Sequence, residues 1–250
     1  MKQFLLELTF DGSAFHGWQV QPNARTVQEA VQDAIEHILG VRENVTGCSR
    51  TDSGVHADSF FCTVSTEKNI TPQKLKTALN AVLLPQIAVK QAKAVETAFH
   101  PRYDAKAKEY RYLIFNKDYK HPFYQKRALF YPYPLDAEFL HAQAQAYVGT
   151  HDFSAFCAAK SDKEDKVRTI YSASVTRQGD FVEFRVTGDG FLYNMVRIMV
   201  GTLLDIQKGA LPKDSIENII ASGDRRCAGQ TAPPDGLYLH RVLYDFSNEQ

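Results

Sequence analysis

Hydrophobic and polar residues alternate at the start of the chain with the two-residue period of a β-strand. Residues 3–10 carry this alternation, and the Asp-Gly-Ser sequence at 11–13 is typical of a turn. The spacing changes at Thr26, which opens a Thr-Val-Gln-Glu capping box followed by apolar residues three and four positions apart. This pattern predicts an amphipathic helix that ends at Gly40.

The same patterns predict further elements along the chain. Strands are expected near residues 58–66, 87–95, 110–115, 168–177, 180–187 and 237–245. Helices are expected to begin at Thr71-Pro72, to run from about 136 to 148 and from 191 to 207, and to cover 213–221. The order of these elements resembles two linked split βαβ units.

This order predicts an α+β fold. We expect two tightly packed, ferredoxin-like or RRM-like α/β subdomains with mixed, mainly antiparallel sheets around a central cleft. The boundary is expected near residues 100–107, which gives subdomains of residues 1–104 and 105–250. No low-complexity or Pro/Gly-rich linker separates the two halves.

The composition is that of an ordinary folded protein, with 44% hydrophobic and 23% charged residues in 250. No segment reaches the roughly 18 uninterrupted apolar residues that a membrane span requires, and the N-terminus lacks a signal-peptide pattern. A cytoplasmic protein is therefore expected. The four cysteines form no Cys-x-x-Cys pair, so we expect packing thiols and neither a zinc knuckle nor a disulfide framework. They are Cys48, Cys62, Cys157 and Cys227.

Charge is neutral in total but uneven along the chain. The formal net charge is zero, which argues against a protein coated in basic residues. Residues 100–127 nevertheless hold eight Lys or Arg and only three Asp or Glu, interleaved with seven Tyr or Phe. Such a segment suits RNA, because cations meet phosphates and rings stack on unpaired bases. A solvated edge hairpin whose rings face the core fits this composition equally well.

Asp52 is the first candidate for chemistry. It lies in a short, turn-rich segment between Gly47 and Gly54, and functional loops are common in such places. A carboxylate there can act as a general base, a nucleophile or a metal ligand. An aspartate that closes a turn through its own backbone fits the same spacing.

Arg197 and Tyr110 are the other candidates. Arg197 interrupts an apolar helix, where an unpaired guanidinium is costly, so it requires an acidic partner. Asp189 and Asp205 are nearest in sequence, and a carboxylate from the other half of the chain is a further option. The alternative is an arginine that extends along the helix edge to water. Tyr110 could stack on a base or move a proton, or simply pack in a half-buried strand.

Several common catalytic motifs do not occur in the sequence. It contains no Gly-x-Gly-x-x-Gly fingerprint, no Walker loop and no zinc-binding histidine motif. These observations favour carboxylate-based chemistry without a cofactor, acting on RNA. A non-catalytic, RRM-like RNA-binding module remains an alternative. It explains residues 100–127 but gives no reason for Asp52 and Arg197 to occur together.

The octapeptide Arg-Thr-Asp-Ser-Gly-Val-His-Ala at 50–57 closely resembles the signature around the catalytic aspartate of the TruA family of tRNA pseudouridine synthases. Other landmarks of that family follow in order over nearly the whole chain. They are Phe10-Asp11-Gly12-Ser13, Gly17-Trp18-Gln19, Val27-Gln28-Glu29, Tyr110-Arg111-Tyr112, Met195 to Gly201 and Gly236 to Leu239. Two positions depart from the family pattern, since Phe10 replaces a frequent tyrosine and Ser53 a common alanine.

This resemblance implies an isomerase that converts uridine to pseudouridine at positions 38–40 of the tRNA anticodon arm. It implies Asp52 as the catalytic carboxylate, Arg197 as its paired arginine and Tyr110 as the ring that stacks on the target uracil. Arg50 is similar to an active-site arginine that contacts the RNA. The reaction requires no metal, redox cofactor or nucleoside triphosphate, and a synthase acting on a different RNA is the alternative.

The resemblance also implies that the enzyme is a homodimer with tRNA as its partner. A dimer would let a shared basic surface span the tRNA, which suits a chain of zero net charge. The local basic cluster of Lys106, Lys108 and Arg111 is expected to contribute to this RNA-binding surface.

Overall fold

A computed structural model of the protein describes residues 1–158 and 164–245. The chain folds as two units, which are described separately. Unit 1 comprises Met1–Lys106 and the C-terminal segment that begins at Tyr238, and unit 2 comprises Ala107–Leu237. The division into subdomains of 1–104 and 105–250 stays a prediction, and its segments 159–163 and 246–250 lie outside the described residues.

The described residues form ten strands and five α-helices. The strands are β1 (Lys2–Phe10), β2 (Val45–Gly47), β3 (His56–Thr66), β4 (Ile87–Val95), β5 (Ala105–Phe115), β6 (Leu129–Phe130), β7 (Gly149–Asp152), β8 (Val167–Gln178), β9 (Phe181–Gly188) and β10 (Leu237–Tyr244). The helices are α1 (Val27–Leu39), α2 (Pro72–Val82), α3 (Ala137–Ala144), α4 (Met195–Gln207) and α5 (Ile216–Ser222). The predicted α+β class is therefore confirmed.

The sheet of unit 1 has the strand order of a split βαβ motif. Strand β1 lies between β4 and β3 and pairs antiparallel with both, and β2 pairs antiparallel with β3. Strand β10 runs parallel to β3, with Tyr238 opposite His56 and Leu239 opposite Ala57. The C-terminal strand therefore lies beside the first residues of β3.

Helix α1 begins and ends where the sequence signals predict. The Thr26 hydroxyl accepts a hydrogen bond from the Glu29 N–H at 3.4 Å, which caps the helix. Gly40 ends it in the left-handed conformation with φ 69°. Val31 and Ile35 lie on the buried face of the helix, one turn apart.

The sheet of unit 2 is mainly antiparallel. Strand β9 pairs antiparallel with both β5 and β8, β8 pairs antiparallel with β7, and β6 pairs parallel with β5. Helix α4 supplies much of the core of the unit, since eleven of its thirteen residues are buried. The buried Tyr147 hydroxyl donates to the Met199 carbonyl of this helix at 3.0 Å.

Two helices begin later than predicted because a residue in front of each adopts a left-handed backbone conformation. Helix α4 starts at Met195 and not near 191, since Asn194 has φ 60°. Helix α5 starts at Ile216 and not at 213, since Asp214 has φ 54°. A right-handed helix cannot pass through such a residue.

Two further boundaries differ from the predictions. Helix α3 ends at Ala144, and the remaining turn of the segment predicted to reach 148 is the 3-10 helix Gln145–Tyr147. Strand β5 begins at Ala105, five residues before the predicted start, and the short strands β2, β6 and β7 were not predicted.

The predicted packing role is confirmed for three of the four cysteines and wrong for one. Cys48, Cys62 and Cys157 are buried, whereas Cys227 is exposed. Burial raises the pKa of the Cys62 thiol well above its usual range, which keeps that thiol neutral. No helix among the described residues is long and apolar enough to cross a membrane.

Candidate active site

Asp52 lies in the loop of residues 48–55, which connects β2 to β3. The Val55 N–H donates to the Asp52 carbonyl at 3.2 Å, and Gly54 has φ 81° between them. This is a β-turn with glycine at the third position, where a positive φ is needed. Because the backbone carbonyl of Asp52 closes the turn, its carboxylate is not required for that purpose. The turn-forming and catalytic interpretations of Asp52 are compatible.

Residues 11–18, here called the cradle segment, hold this loop through main-chain hydrogen bonds. The Trp18 N–H donates to the Thr51 carbonyl at 3.2 Å, just before Asp52. The Gly54 N–H donates to the Phe15 carbonyl at 3.2 Å, just after it. Asp52 therefore lies between two anchored points of the backbone.

Two glycines allow the cradle segment to approach the loop closely. A Cβ atom at Gly12 would lie 1.9 Å from the Val55 carbonyl oxygen. A Cβ atom at Gly17, where φ is 88°, would lie 2.4 Å from the Thr51 carbonyl oxygen. No side chain fits at either distance, so the contact requires glycine at both positions.

His56 ties the end of the loop to the cradle segment. The Gly12 N–H donates to His56 Nδ1 at 3.1 Å, and Asp11 Oδ1 lies 3.3 Å from the same nitrogen. The imidazole is buried and stacks on the Tyr238 ring with centroids 4.6 Å apart. The Gly12 bond uses the unprotonated Nδ1, whereas a protonated Nδ1 would donate to Asp11. In either state the ring joins the cradle segment to β3.

The start of the loop is held by a separate set of contacts. The Cys48 N–H donates to the Phe61 carbonyl at 2.8 Å, which continues the β2–β3 pairing into the loop. Trp18 stacks on Phe60 with centroids 4.2 Å apart, and a Cβ atom at Gly47 would lie 2.6 Å from the indole. The loop is therefore fixed before, at and after Asp52.

Thr51 has an unusual environment next to Asp52. Its side chain is 8% exposed, and its hydroxyl oxygen is buried with no hydrogen-bond partner among the described residues. Buried hydroxyl groups are normally paired, so such an oxygen is a candidate for contact with a substrate.

Arg197 lies in the first turn of α4 in unit 2 and is half-buried. Its Nε donates to the Ala232 carbonyl at 2.7 Å, and one terminal nitrogen donates to Asn194 Oδ1 at 2.8 Å. The Ala232 N–H donates back to the Arg197 carbonyl at 3.0 Å. These bonds fix the plane and direction of the guanidinium.

The two acids nearest to Arg197 in sequence are bonded to other groups. Asp205 forms an ion pair with Lys208 at 2.7 Å and accepts a hydrogen bond from the Gln230 N–H at 3.0 Å. Asp189 accepts a hydrogen bond from the Thr169 N–H at 3.1 Å. Pairing of Arg197 with a carboxylate from elsewhere in the chain stays a prediction.

Tyr110 and Tyr112 share one face of β5, as the strand period predicts. Tyr110 is 7% exposed, and its ring meets Phe191 edge-on with centroids 5.0 Å apart. Tyr112 is fully buried, its hydroxyl donates to the Pro233 carbonyl at 2.8 Å, and burial raises the pKa of this phenol. Tyr112 is thus a structural residue, and Tyr110 is the one that retains some exposure.

The basic residues named from sequence differ in their surroundings. Arg50 and Lys106 are exposed, and Lys108 is half-buried. Arg111 lies 3.5 Å from Glu183 on the neighbouring strand β9, so part of its charge is balanced within the sheet. Within residues 1–158 and 164–245, no group of three or more His, Cys, Asp or Glu side chains is arranged to hold a metal ion.

His56 and the two cradle glycines were missed by the sequence analysis as positioning residues. Their contacts join positions about 40 residues apart, and local periodicity carries no signal for such a contact. The available signals were the family motifs at 10–13, 17–19 and 50–57, which contain these three residues without showing that they meet.

Replacement of Gly17 by alanine is expected to destabilise the protein more than replacement of Gly40. Both glycines have a positive φ, so each variant carries a backbone penalty of roughly 1 kcal/mol. A Cβ at Gly40 meets nothing within 4 Å, whereas at Gly17 it also displaces the loop. Urea unfolding should therefore give an additional loss of at least about 1 kcal/mol for Gly17→Ala. Equal losses would contradict the close packing of cradle and loop.

Comparison with known proteins identifies relatives over nearly the whole chain. A family model described as tRNA pseudouridine synthase matches residues 8–104 and 143–245. The chain is 44% identical over 244 residues to tRNA pseudouridine synthase A of Thermoanaerobacter sp. (strain X514), covering 98% of this chain and 100% of that relative. It is 43% identical over 240 residues to tRNA pseudouridine synthase A of Bacillus subtilis (strain 168), covering 95% and 97%.

Among solved structures, a chain described as "Crystal Structure of a Cbf5-Nop10-Gar1 Complex" aligns with 97% of this chain and 60% of its own length. The identity is 12% and the TM-score 0.36, a likeness too distant to bear on the fold. The sequence matches are far closer, and they confirm the resemblance inferred from the motifs. The chain belongs to the tRNA pseudouridine synthase family, a family of isomerases that act on tRNA.

Proposed function

We propose that this protein converts uridine to pseudouridine at positions 38–40 of the tRNA anticodon arm, with Asp52 as the catalytic carboxylate. The observation that carries this proposal is the anchoring of the Asp52 loop by main-chain bonds on both sides. A catalytic group must be held in one geometry, and backbone bonds to a rigid segment provide this. The names of the relatives, tRNA pseudouridine synthase A, support the substrate class.

The reaction defines what the site must do. The N1–C1′ glycosidic bond breaks, the uracil turns and C5 bonds to C1′. The proton on C5 then leaves, and N1 takes up a proton in place of its bond to C1′. Substrate and product contain the same atoms, so no oxidant or phosphoryl donor is consumed. The glycosidic bond is inaccessible in a stacked helix, so the target nucleotide is turned out into a pocket.

Asp52 acts in its ionised form in each of three routes. The carboxylate attacks C1′, attacks C6 of the uracil, or removes the proton at C2′. The neighbouring Thr51 hydroxyl, buried and without a partner among the described residues, is suited to a hydrogen bond with the bound nucleotide. This bond would orient the substrate beside the carboxylate.

Arg197 is the proposed ion-pair partner of Asp52. An opposite charge at close range lowers the pKa of a carboxylate and so favours the ionised form. Two hydrogen bonds, to the Ala232 carbonyl and to Asn194 Oδ1, already define the orientation of the guanidinium. A guanidinium held in this way binds a carboxylate with little further loss of side-chain entropy.

Tyr110 is the proposed support for the uracil. Its ring would stack on the base while the glycosidic bond is open, and its hydroxyl would assist removal of the C5 proton. Tyr112 keeps β5 in place beneath it through the Pro233 bond. Arg50 is proposed to contact the RNA near the site, and Lys106, Lys108 and Arg111 to contribute positive charge along the bound strand.

Asp52→Asn is expected to abolish turnover while leaving tRNA binding within about threefold. The amide keeps the shape of the side chain but cannot act as a base or nucleophile, so the rate should fall at least about 100-fold. The product is an isomer of the substrate, so it is mapped chemically by nucleotide in an unmodified tRNA. Asp33→Asn, which removes a surface carboxylate paired with Arg42, is the control and should keep parental activity. Near-parental activity of Asp52→Asn would show that Asp52 is not the catalytic carboxylate.

Arg197→Met is expected to reduce kcat at least about tenfold and to move the acid limb of the kcat profile to higher pH. Loss of the positive charge raises the pKa of the Asp52 carboxylate, so a higher pH is needed to ionise it. Arg197→Lys keeps the charge but not the planar fork, so its acid limb should stay closer to the parental one. A Met variant with an unshifted acid limb would mean that Arg197 does not pair with the catalytic carboxylate.

We further infer a cytoplasmic homodimer with tRNA as its partner. A chain with zero net charge offers little long-range attraction for a polyanion, and two copies would present their basic residues along one tRNA. Sedimentation equilibrium should give twice the 28.2 kDa mass of the chain. A protein that remains monomeric over the assay range of concentration would remove this part of the proposal.

A further inference from the structure

A cavity of about 420 Å³ opens on unit 2 at the end of β5. None of the residues proposed to act on the uridine lines it. Its walls include the rings of Phe115, His121 and Tyr124. Tyr124 lies 5.2 Å from Phe115 and 4.4 Å from His121, measured between ring centroids. The Phe123 N–H donates to His121 Nδ1 at 3.3 Å, which holds the imidazole in place. The aromatic wall is thus held together by contacts among its own residues.

Two lysines line the same cavity. Lys120 and Lys126 are both exposed, and the Lys120 ammonium lies 5.7 Å from the centroid of the Phe130 ring. Lys126 has φ 59°, a backbone conformation that residues with a side chain rarely adopt. Strain of this kind is maintained where the surrounding structure fixes a residue, often at a binding site. The two lysines therefore place two positive charges at the cavity.

One carboxylate, that of Asp235, also lines the cavity. A carboxylate repels phosphate but accepts hydrogen bonds from the N–H groups on the edge of a nucleobase. Aromatic rings offer the flat surface on which such a base stacks. The base therefore suits the interior of the cavity, and the phosphates suit the exposed lysines.

We propose that this cavity binds one unpaired nucleotide of the substrate tRNA, other than the uridine that reacts. The identity of the RNA rests on the proposed function. Tyr110, the proposed support for the reacting uracil, and Phe115 are five residues apart on β5, about 16 Å along the strand. One base cannot contact both. The cavity is thus a second point of attachment that helps to set which uridine reaches Asp52.

The first test removes the cavity lysines. Lys120→Ala/Lys126→Ala should weaken tRNA binding about tenfold at moderate salt and lower the slope of log affinity against log salt by about 1.4, as for two lost single-strand phosphate contacts. The control, Lys68→Ala/Lys74→Ala, removes the same charge from exposed positions in unit 1 and should change affinity less than twofold. Parental affinity and salt slope in the cavity variant would overturn the proposal.

The second test reports on stacking directly. Trp18 is the single tryptophan, so Tyr124→Trp adds one fluorophore in the cavity wall. Binding of tRNA should quench this emission beyond the change in the parental protein, since the base stacks on the new ring. An emission that is unchanged at saturating tRNA would overturn the proposal. If Tyr124→Trp does not fold, the lysine variant decides the question alone.

Three outcomes separate this inference from others. A lysine variant that sediments with a different subunit number from the parental protein would make the cavity a contact between copies of the chain, and the nucleotide assignment would fail. A parental protein that forms no pseudouridine in tRNA would refute the proposed function instead. An active parental protein whose cavity variants bind tRNA equally well would refute the cavity assignment alone.

Discussion

The backbones of the cradle segment and the Asp52 loop approach each other too closely for a side chain at Gly12 or Gly17. Main-chain bonds made across this contact do not depend on which side chains the loop carries. The loop can therefore vary at exposed positions such as Ser53 without losing its geometry. The separation between the loop backbone and the cradle segment, in contrast, is fixed by these main-chain bonds.

Unit 2 positions Arg197 in a related way. The segment around Ala232 lies against one face of α4, and a Cβ atom at Gly201 would lie 1.7 Å from the Gln230 carbonyl oxygen. This close contact lets a main-chain carbonyl bind the guanidinium from a fixed direction. The backbone of Asp52 and the guanidinium of Arg197, both proposed to act on the uridine, are thus held by main-chain contacts.

Sequence patterns predicted the elements that have local end signals and are long enough for their apolar residues to repeat with a clear period. Helix α1 has a cap at each end and a regular apolar face, so its bounds agree with the prediction. The predicted start of α4 was wrong because Asn194 adopts a left-handed conformation, which the spacing of apolar residues does not reveal. Strands of two to four residues, such as β6, are too short to show a period. Asp52 was a candidate from its turn-rich segment and received its catalytic role by resemblance. The anchoring of its loop depends on contacts such as Gly12 with His56, 44 residues apart.

The position of strand β10 at the end of the chain affects the order in which contacts form during translation. It supplies Tyr238, which stacks on His56, and His240, whose Nδ1 lies 2.7 Å from Asp58 Oδ2 across 182 residues. Closing a loop of that length costs chain entropy and requires both ends to be present. During translation the first hundred residues leave the ribosome long before β10 does. The first residues of β3, which directly follow the Asp52 loop, therefore receive their contacts with β10 only near the end of synthesis.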